Sequence, residues 1–331
     1  MKRCNPSTKK NLLIIHQGAL GDLVVSFPSV IQLKNFFHPI DVICQSSSGK
    51  LGCALGVFSK FYPLESASFS SLYSNSIDSR IKNILRSYQE IVLFSFSKFL
   101  EDAIAEITTK KPHRIIPRSE LNQKLHVGEY ITRNLRKCGL LEANSRINEN
   151  VFLPVNPAQQ WERINKSKRI LIHPGSGSKK KFWPILNFIK TEAALRSAGL
   201  HPEFILGPAE RFLARELKAN GYENSGVNII SEPDELLLLL EKAGGFIGND
   251  SGVTHLAAFS GLPTVAVFGP SDPERWKPLG PSVEILRPEL KCSPCFEKTE
   301  PCAEMSCFNK TTPEMVVNAF YTCRRKLTNL S

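Results

Sequence analysis

The sequence predicts an α/β protein made of two successive doubly wound, Rossmann-like domains, and three observations carry that expectation. Short apolar runs alternate with amphipathic helical patterns, the pattern of a parallel sheet with crossover helices. The alternation stops near residue 150 and starts afresh near residue 169. A chain of 331 residues is also long for one hydrophobic core, so two domains of roughly 150 residues each is the natural division.

The first half opens with the apolar strand Asn11 to Ile15, the glycine turn HQGALGD, and an amphipathic helix from Gly21 to Phe37. Strand-like runs recur at Ile40 to Cys44, Glu90 to Phe94 and His113 to Pro117, separated by helical patterns such as Ile77 to Tyr88 and Lys124 to Cys138. Residues 150–168 hold Pro154, Pro157 and the polar run RINKSK, and read as an interdomain linker. Domains of 1–155 and 156–310 are therefore expected. In the second half, strand RILIHP leads through GSGSKKKFWP into a helix entered at Pro184 and ended by Gly199, a usual pair of start and stop signals. Strand Glu203 to Gly207, helix Ala209 to Asn220, strand VNII, helix Asp234 to Lys242, strand Gly244 to Gly248, helix Gly252 to Ser260 and strand Thr264 to Gly269 follow. A last helical run spans Glu314 to Lys326.

With 42% hydrophobic and 22% charged residues, the composition is that of a soluble globular protein. No apolar run approaches the roughly 18 residues of a spanning helix. The N-terminal run LLII stops at His16 and Gln17, short of a secretory signal core, so a cytoplasmic protein is expected. In that compartment nine cysteines are reduced thiols or metal ligands rather than disulfides. Cys4, Cys44, Cys53, Cys138 and Cys323 are scattered. Cys292, Cys295, Cys302 and Cys307 form C-x2-C-x6-C-x4-C, and the C-x-x-C half has the spacing of a structural zinc knuckle. The other half lacks it, and no metal site is assigned.

The net charge is +11, and residues 1–155 carry about 20 Lys and Arg against 12 Asp and Glu, so the first half holds most of the basic surface. For scattered charges a solvated face is the simplest meaning. An anionic substrate or an anionic membrane surface are the functional ones, whereas nucleic acid is disfavoured because neither an aromatic RNP pattern nor a finger spacing is present.

In doubly wound folds ligands sit at the carboxyl ends of strands, and four loops there stand out. In HQGALGD, Gly18 and Gly21 permit a tight turn and Asp22 falls in the first helical turn. A carboxylate is favoured there by the macrodipole alone, and the G-x-G-x-x-G spacing of a dinucleotide fold is missing; no cofactor is expected. In HPGSGSKKKFWP, Gly175 to Ser178 offer backbone N–H groups and hydroxyls, Lys179 to Lys181 offer positive charge, and a helix start follows. This is a metal-free way to hold phosphate, although the loop is not a Walker A motif. In FIGNDSGVTHLAAFSGLP, Asn249 and Asp250 close a buried strand and Ser251 and Gly252 begin a helix of small residues. Capping explains an acid there, and His255 has the simple reading of a core histidine, but two anion-receptive helix starts in one domain point to a diphosphate. Gly269, Pro270, Asp272 and Pro273 in the fourth loop read as shaping residues.

Three of these stretches, GALGDLVVSFPSV, HPGSGSKKKFWP and FIGNDSGVTHLAAFSGLPTVAVFGPSDPERWKP, occur in an order that resembles glycosyltransferase family 9, the ADP-heptose:lipopolysaccharide heptosyltransferases, over about residues 11–280. The resemblance implies a GT-B architecture, with two Rossmann-like domains facing each other across a cleft, acceptor on the N-terminal one and nucleotide-sugar on the C-terminal one. It implies a C-terminal segment, 311–331, that crosses back to the first domain. It further implies inverting, metal-independent transfer, with Asp22 as general base on the acceptor hydroxyl. A carboxylate at a helix N-terminus is a weak base and must gain basicity when water is excluded. By the same resemblance, Ser176, Ser178 and Lys181 hold the diphosphate, and Asp250, Ser251, Gly252 and His255 form the donor loop. Glu210 in GPAER falls near the nucleoside. The implied partners are ADP-heptose, the anionic lipopolysaccharide core and the inner face of the cytoplasmic membrane, toward which the basic first half would steer the protein. Alternatives are a GT-B transferase or epimerase using a different nucleotide-sugar, and a non-enzymatic binder of nucleic acid or anionic lipid, against which the two anion loops in the less basic half argue.

Overall fold

The computed structural model describes residues 9–74, 76–120, 123–147, 157–222, 226–287, 289–290, 292, 294–296, 302 and 306–328. The chain divides into two compact units, Met1–Asn148 and Glu149–Ser331.

In the first unit the elements run β1 (Lys10–His16), α1 (Leu20–Leu33), β2 (Phe37–Cys44), α2 (Ser46–Ala54), β3 (Lys60–Pro63), α3 (Ala67–Ser70), α4 (Ser79–Arg86), β4 (Glu90–Phe94), α5 (Lys98–Thr108), β5 (His113–Ile115) and α6 (Val127–Lys137). The strands form a parallel sheet in the order β3-β2-β1-β4-β5. Leu12 to Ile15 of β1 are fully buried, as a central parallel strand covered on both faces requires. One face packs Leu13, Ile15, Ile43 and Leu93 against Leu85, Leu100 and Ile104. Helix α1 ends at Leu33, short of the expected Phe37, because Phe37 pairs with Lys10 as the first residue of β2 and buries its ring there.

The second unit contains α7 (Pro157–Lys166), β6 (Arg169–His173), α8 (Ile185–Ser197), β7 (His201–Leu206), α9 (Arg211–Ala219), β8 (Val227–Ile229), α10 (Pro233–Lys242), β9 (Gly245–Asn249), α11 (Gly252–Phe259), β10 (Thr264–Val267), α12 (Pro273–Trp276), β11 (Val283–Leu286), α13 (Ser306–Asn309) and α14 (Pro313–Thr328). Its parallel sheet has the order β11-β10-β9-β6-β7-β8, which, counted from β6, is the doubly wound 3-2-1-4-5-6 arrangement.

One expectation needs correcting. Most of the stretch read as linker is helix α7, because Ile164 is fully buried and the Arg324 guanidinium donates to the Asn165 carbonyl at 2.7 Å. The C-terminal run forms α14, which packs on the second sheet. Val316, Phe320, Cys323 and Leu327 are fully buried at helical spacing, the first three within the core of β6, β7 and α8. Ser282 Oγ also donates to the Cys323 carbonyl at 2.7 Å.

In both sheets the strand order reverses at one point, between β1 and β4 and between β6 and β9. Loops leaving neighbouring strands diverge there to opposite faces and open a crevice. The four loops after these strands are where side chains can converge.

Candidate functional site

In the first unit, β1 ends at His16 and the chain turns through Gly18 into α1. The helix cap, Ala19, has no side-chain oxygen, and Asp22 Oδ2 accepts the Ala19 N–H at 3.2 Å in its place. Gly18 is needed for close approach: a Cβ there would lie 2.7 Å from Asp22 Cβ and 2.8 Å from His16 Cε1. The Gly18 N–H donates to His16 Nδ1 at 3.2 Å. Burial pushes the His16 imidazole down to about 4, with a hydrogen bond to the Asp22 backbone pulling the other way, so it is a neutral strut beneath the turn.

In the second unit, the loops after β6 and β9 are stitched together. Ser176 Oγ donates to the Asp250 carbonyl at 2.7 Å. Asn249, fully buried, holds both arms of the glycine loop: its Nδ2 donates to the Pro174 carbonyl at 2.7 Å and its Oδ1 accepts the Trp183 N–H at 3.1 Å. Replacing Asn249 with leucine strands both groups in the interior. We expect it to destabilise the protein by about 2–6 kcal/mol, from roughly 1–3 kcal/mol per unsatisfied group. Chemical denaturation checks this, and an unchanged midpoint would remove Asn249 from the loop's support.

Lys181 and Asp250 meet within this frame, Nζ to Oδ2 at 2.7 Å, with the Asp250 side chain 5% exposed and that of Lys181 21%. The Lys181 ammonium also lies 4.7 Å from the centroid of the Phe296 ring, within cation–π range. Residues 295 and 296 are held by their N–H groups on the Pro270 carbonyl. His255 Nε2 approaches the other Asp250 oxygen at 4.0 Å. Ser251 caps α11, its Oγ accepting the Thr254 N–H at 3.3 Å. Thr254 Oγ1 donates to the Asn249 carbonyl at 2.6 Å. Gly252 is the first residue of α11, whose opening N–H groups have no intrahelical acceptors. Ser178 caps the short 3-10 turn Lys179–Lys181.

The structure thus brings together Ser176, Lys181, Asp250, Ser251, Gly252 and His255, with Ser178 capping the adjoining turn; Asp22 belongs to the first unit. Sequence reasoning missed the polar scaffold. His173 is buried and neutral, pushed down to about 4 by burial, with Nδ1 at 3.3 Å from Ser251 Oγ and Nε2 at 4.0 Å from Glu210 Oε1. The Glu210 carboxylate lies so close to Gly175 that a Cβ there would fall 2.5 Å from Glu210 Cγ. Burial holds the Glu210 carboxyl above its ordinary value, opposed by the Gly207 N–H it accepts at 2.8 Å. In the fourth loop, Asp272 caps α12. Cys292, Cys295, Cys302 and Cys307 are free thiols, and among the described residues no group of three His, Cys, Asp or Glu is placed to hold a metal ion. Cys4 lies outside the described residues. No helix among the described residues is long and apolar enough to cross a membrane.

Chemically, the crevice of the second unit offers one ammonium, hydroxyls and helix-start N–H groups, a combination that receives phosphate. A family model described as glycosyltransferase family 9 (heptosyltransferase) matches residues 142–305. Lipooligosaccharide heptosyltransferase 2 of Campylobacter jejuni is 26% identical over 314 residues, 90% of this chain and 93% of the relative. Among solved structures, a family 9 glycosyl transferase from Veillonella parvula superposes with a TM-score of 0.72 at 15% identity, covering 96% of this chain and 98% of that one. The E. coli ADP-heptose lps heptosyltransferase II gives 0.70 at 17% identity, covering 97% and 100%. At these identities the structural likeness speaks to the fold, the GT-B α/β fold implied by the sequence resemblance.

Proposed function

Because the chain belongs to glycosyltransferase family 9, the heptosyltransferases, we propose that it moves a heptose from ADP-L-glycero-D-manno-heptose to the lipopolysaccharide inner core, with inversion and without a divalent metal. The observation that carries this reading is the Lys181–Asp250 pair, set where the glycine loop and the start of α11 meet. In the proposed reaction an acceptor hydroxyl oxygen attacks the anomeric carbon from the face opposite ADP. The new glycosidic bond forms as the bond from carbon to the phosphate oxygen breaks. Asp22 of the first unit takes the hydroxyl proton. Lys181, the hydroxyls of Ser176 and Ser178, and the opening N–H groups of α11 at Ser251 and Gly252 neutralise the charge gathering on the departing diphosphate. Asp250 accepts hydrogen bonds from the sugar, with His255 beside it. The basic first half draws the enzyme to the inner face of the cytoplasmic membrane, where its anionic acceptor is displayed.

Calorimetry with ADP-, UDP- and GDP-sugars tests the reading. Binding of ADP-heptose above the others, with transfer unaffected by EDTA, is the expected result. Preference for a UDP- or GDP-sugar would favour the second reading, a transferase or epimerase of the same fold with another donor.

A further inference from the structure

We propose that α9 is a backstop for the loop between β6 and α8, and that Phe212, on the first turn of α9, is a positioning residue that sets where Lys181 stands. This deepens the proposed function and rests on its diphosphate site.

The turn Lys179–Lys181 is poorly equipped to hold itself. Short 3-10 turns have weak hydrogen-bond geometry, and neighbouring ammonium groups repel one another. Here the Lys181 N–H donates to the Ser178 carbonyl at 2.9 Å and the Phe182 N–H to the Lys179 carbonyl at 3.2 Å. None of the turn's residues is buried. The loop is tied down upstream by Ser176 on the Asp250 carbonyl. Downstream it is tied by Trp183, 1% exposed, whose Nε1 donates to the Thr311 carbonyl at 3.1 Å. Between these ties the lysines need a support from the side.

α9 supplies it, because the segment that opens this helix meets the loop at both ends. At the near end is Glu210, whose Cγ would lie 2.5 Å from a Cβ on Gly175. At the far end the Phe182 and Phe212 rings stack, centroids 5.8 Å apart and planes 4° from parallel. Lys179 Nζ lies 5.7 Å from the centroid of the same Phe212 ring, within cation–π reach. Lys179 opens the turn and Phe182 directly follows it, so one ring grips the turn on both sides of Lys181. The helix behind that ring is fixed, since Leu213 and Leu217 are buried in the core of the second unit. Phe212 itself stays 39% exposed, so its contacts serve the loop more than the core.

The consequence falls on Lys181. Its ammonium stands 2.7 Å from Asp250 Oδ2 and 4.7 Å from the Phe296 centroid, and it can meet a phosphate only while the turn keeps its place. Removing the Phe212 ring leaves the ends of the loop tied and frees the part that carries the charge.

The test is calorimetry on the full-length protein with ADP and with inorganic pyrophosphate as probes. Phe212→Ala is expected to weaken ADP binding about three- to tenfold, the scale of one aromatic stack with a cation on its face. Phe212→Tyr keeps the flat ring and should bind as the wild type does. Phe212→Leu keeps apolar bulk without a flat face and should fall between them. The decisive arm places Phe212→Ala in a Lys181→Ala background. If both changes act on one ammonium, the second adds little to the loss of affinity, while the shift in thermal midpoint caused by Phe212→Ala is the same in either background. Full multiplication of the two losses, or unchanged affinity in Phe212→Ala, overturns the proposal and makes Phe212 a packing residue. If the wild type prefers UDP or GDP, the donor reading fails, and the same variants measured with that nucleotide still decide the role of Phe212. A wild type that binds neither a nucleoside diphosphate nor pyrophosphate overturns both.

Discussion

Asp22→Asn is expected to cut transfer steeply while leaving affinity for the proposed donor, ADP-heptose, intact. The expected loss in kcat is on the order of 10²–10⁴, the usual contribution of a positioned general base. Asparagine is the sharper probe than alanine because Asp22 caps the helix besides its proposed catalytic role. Its Oδ2 accepts the N–H of Ala19, which has no oxygen of its own to cap the helix, so Asp22→Ala also loses a cap worth about 1 kcal/mol. Asparagine keeps an oxygen for that N–H and removes only the basicity. The two variants should therefore share the catalytic defect and differ in thermal stability, with alanine the less stable. Donor calorimetry on the same samples shows whether the nucleotide-sugar site survives. An Asp22→Asn enzyme with wild-type kcat would reduce the carboxylate to a helix cap and leave the base unassigned.

The elements that were legible beforehand share a physical cause. β1, β4, β6, β9 and β10 are central strands whose residues are almost all buried, so their sequences are unbroken apolar runs. β3 and β11 passed unread because they are edge strands: KFYP and VEIL contain no fully buried residue, and half-exposed strands keep no continuous run. Helix α7 was mistaken for linker because Ile164 is the residue whose burial anchors its apolar face amid a polar run. At the site, Gly175 to Lys181 and Asp250 to His255 were found because glycine, lysine and a helix start together suggest an anion. Asn249 was read only as closing a strand, and His173 was not singled out. Their work is pairwise, and only the adjacency of β6 and β9 in the sheet lets Asn249 bridge Pro174 and Trp183 or His173 reach Ser251. An uncharged polar residue at a strand end shows no such partner in one dimension.

Lys181→Ala should lower kcat by about 10²–10³, comparable to removing one preorganised charge-stabilising donor from a transition state. It carries a second consequence. Asp250 is 5% exposed with Lys181 Nζ at 2.7 Å, and removing one member of a buried pair leaves an uncompensated charge that costs up to 3–5 kcal/mol. Lys181 keeps about a fifth of its side chain in water, so a destabilisation of roughly 1–3 kcal/mol is the better expectation here. A fall in activity could then reflect a loosened loop rather than a missing charge. The double variant Lys181→Ala with Asp250→Asn separates the two. Neutral asparagine keeps the shape and needs no cation, so the thermal midpoint should return most of the way to wild type. The catalytic defect should persist, because the diphosphate still leaves without its ammonium. Lys181→Arg keeps a charge but replaces a compact ammonium with a planar fork beside Phe296, and should retain intermediate activity. Should the double variant recover kcat together with its midpoint, Lys181 serves only to hold Asp250. The leaving-group charge would then have to be met by the helix-start N–H groups and hydroxyls alone.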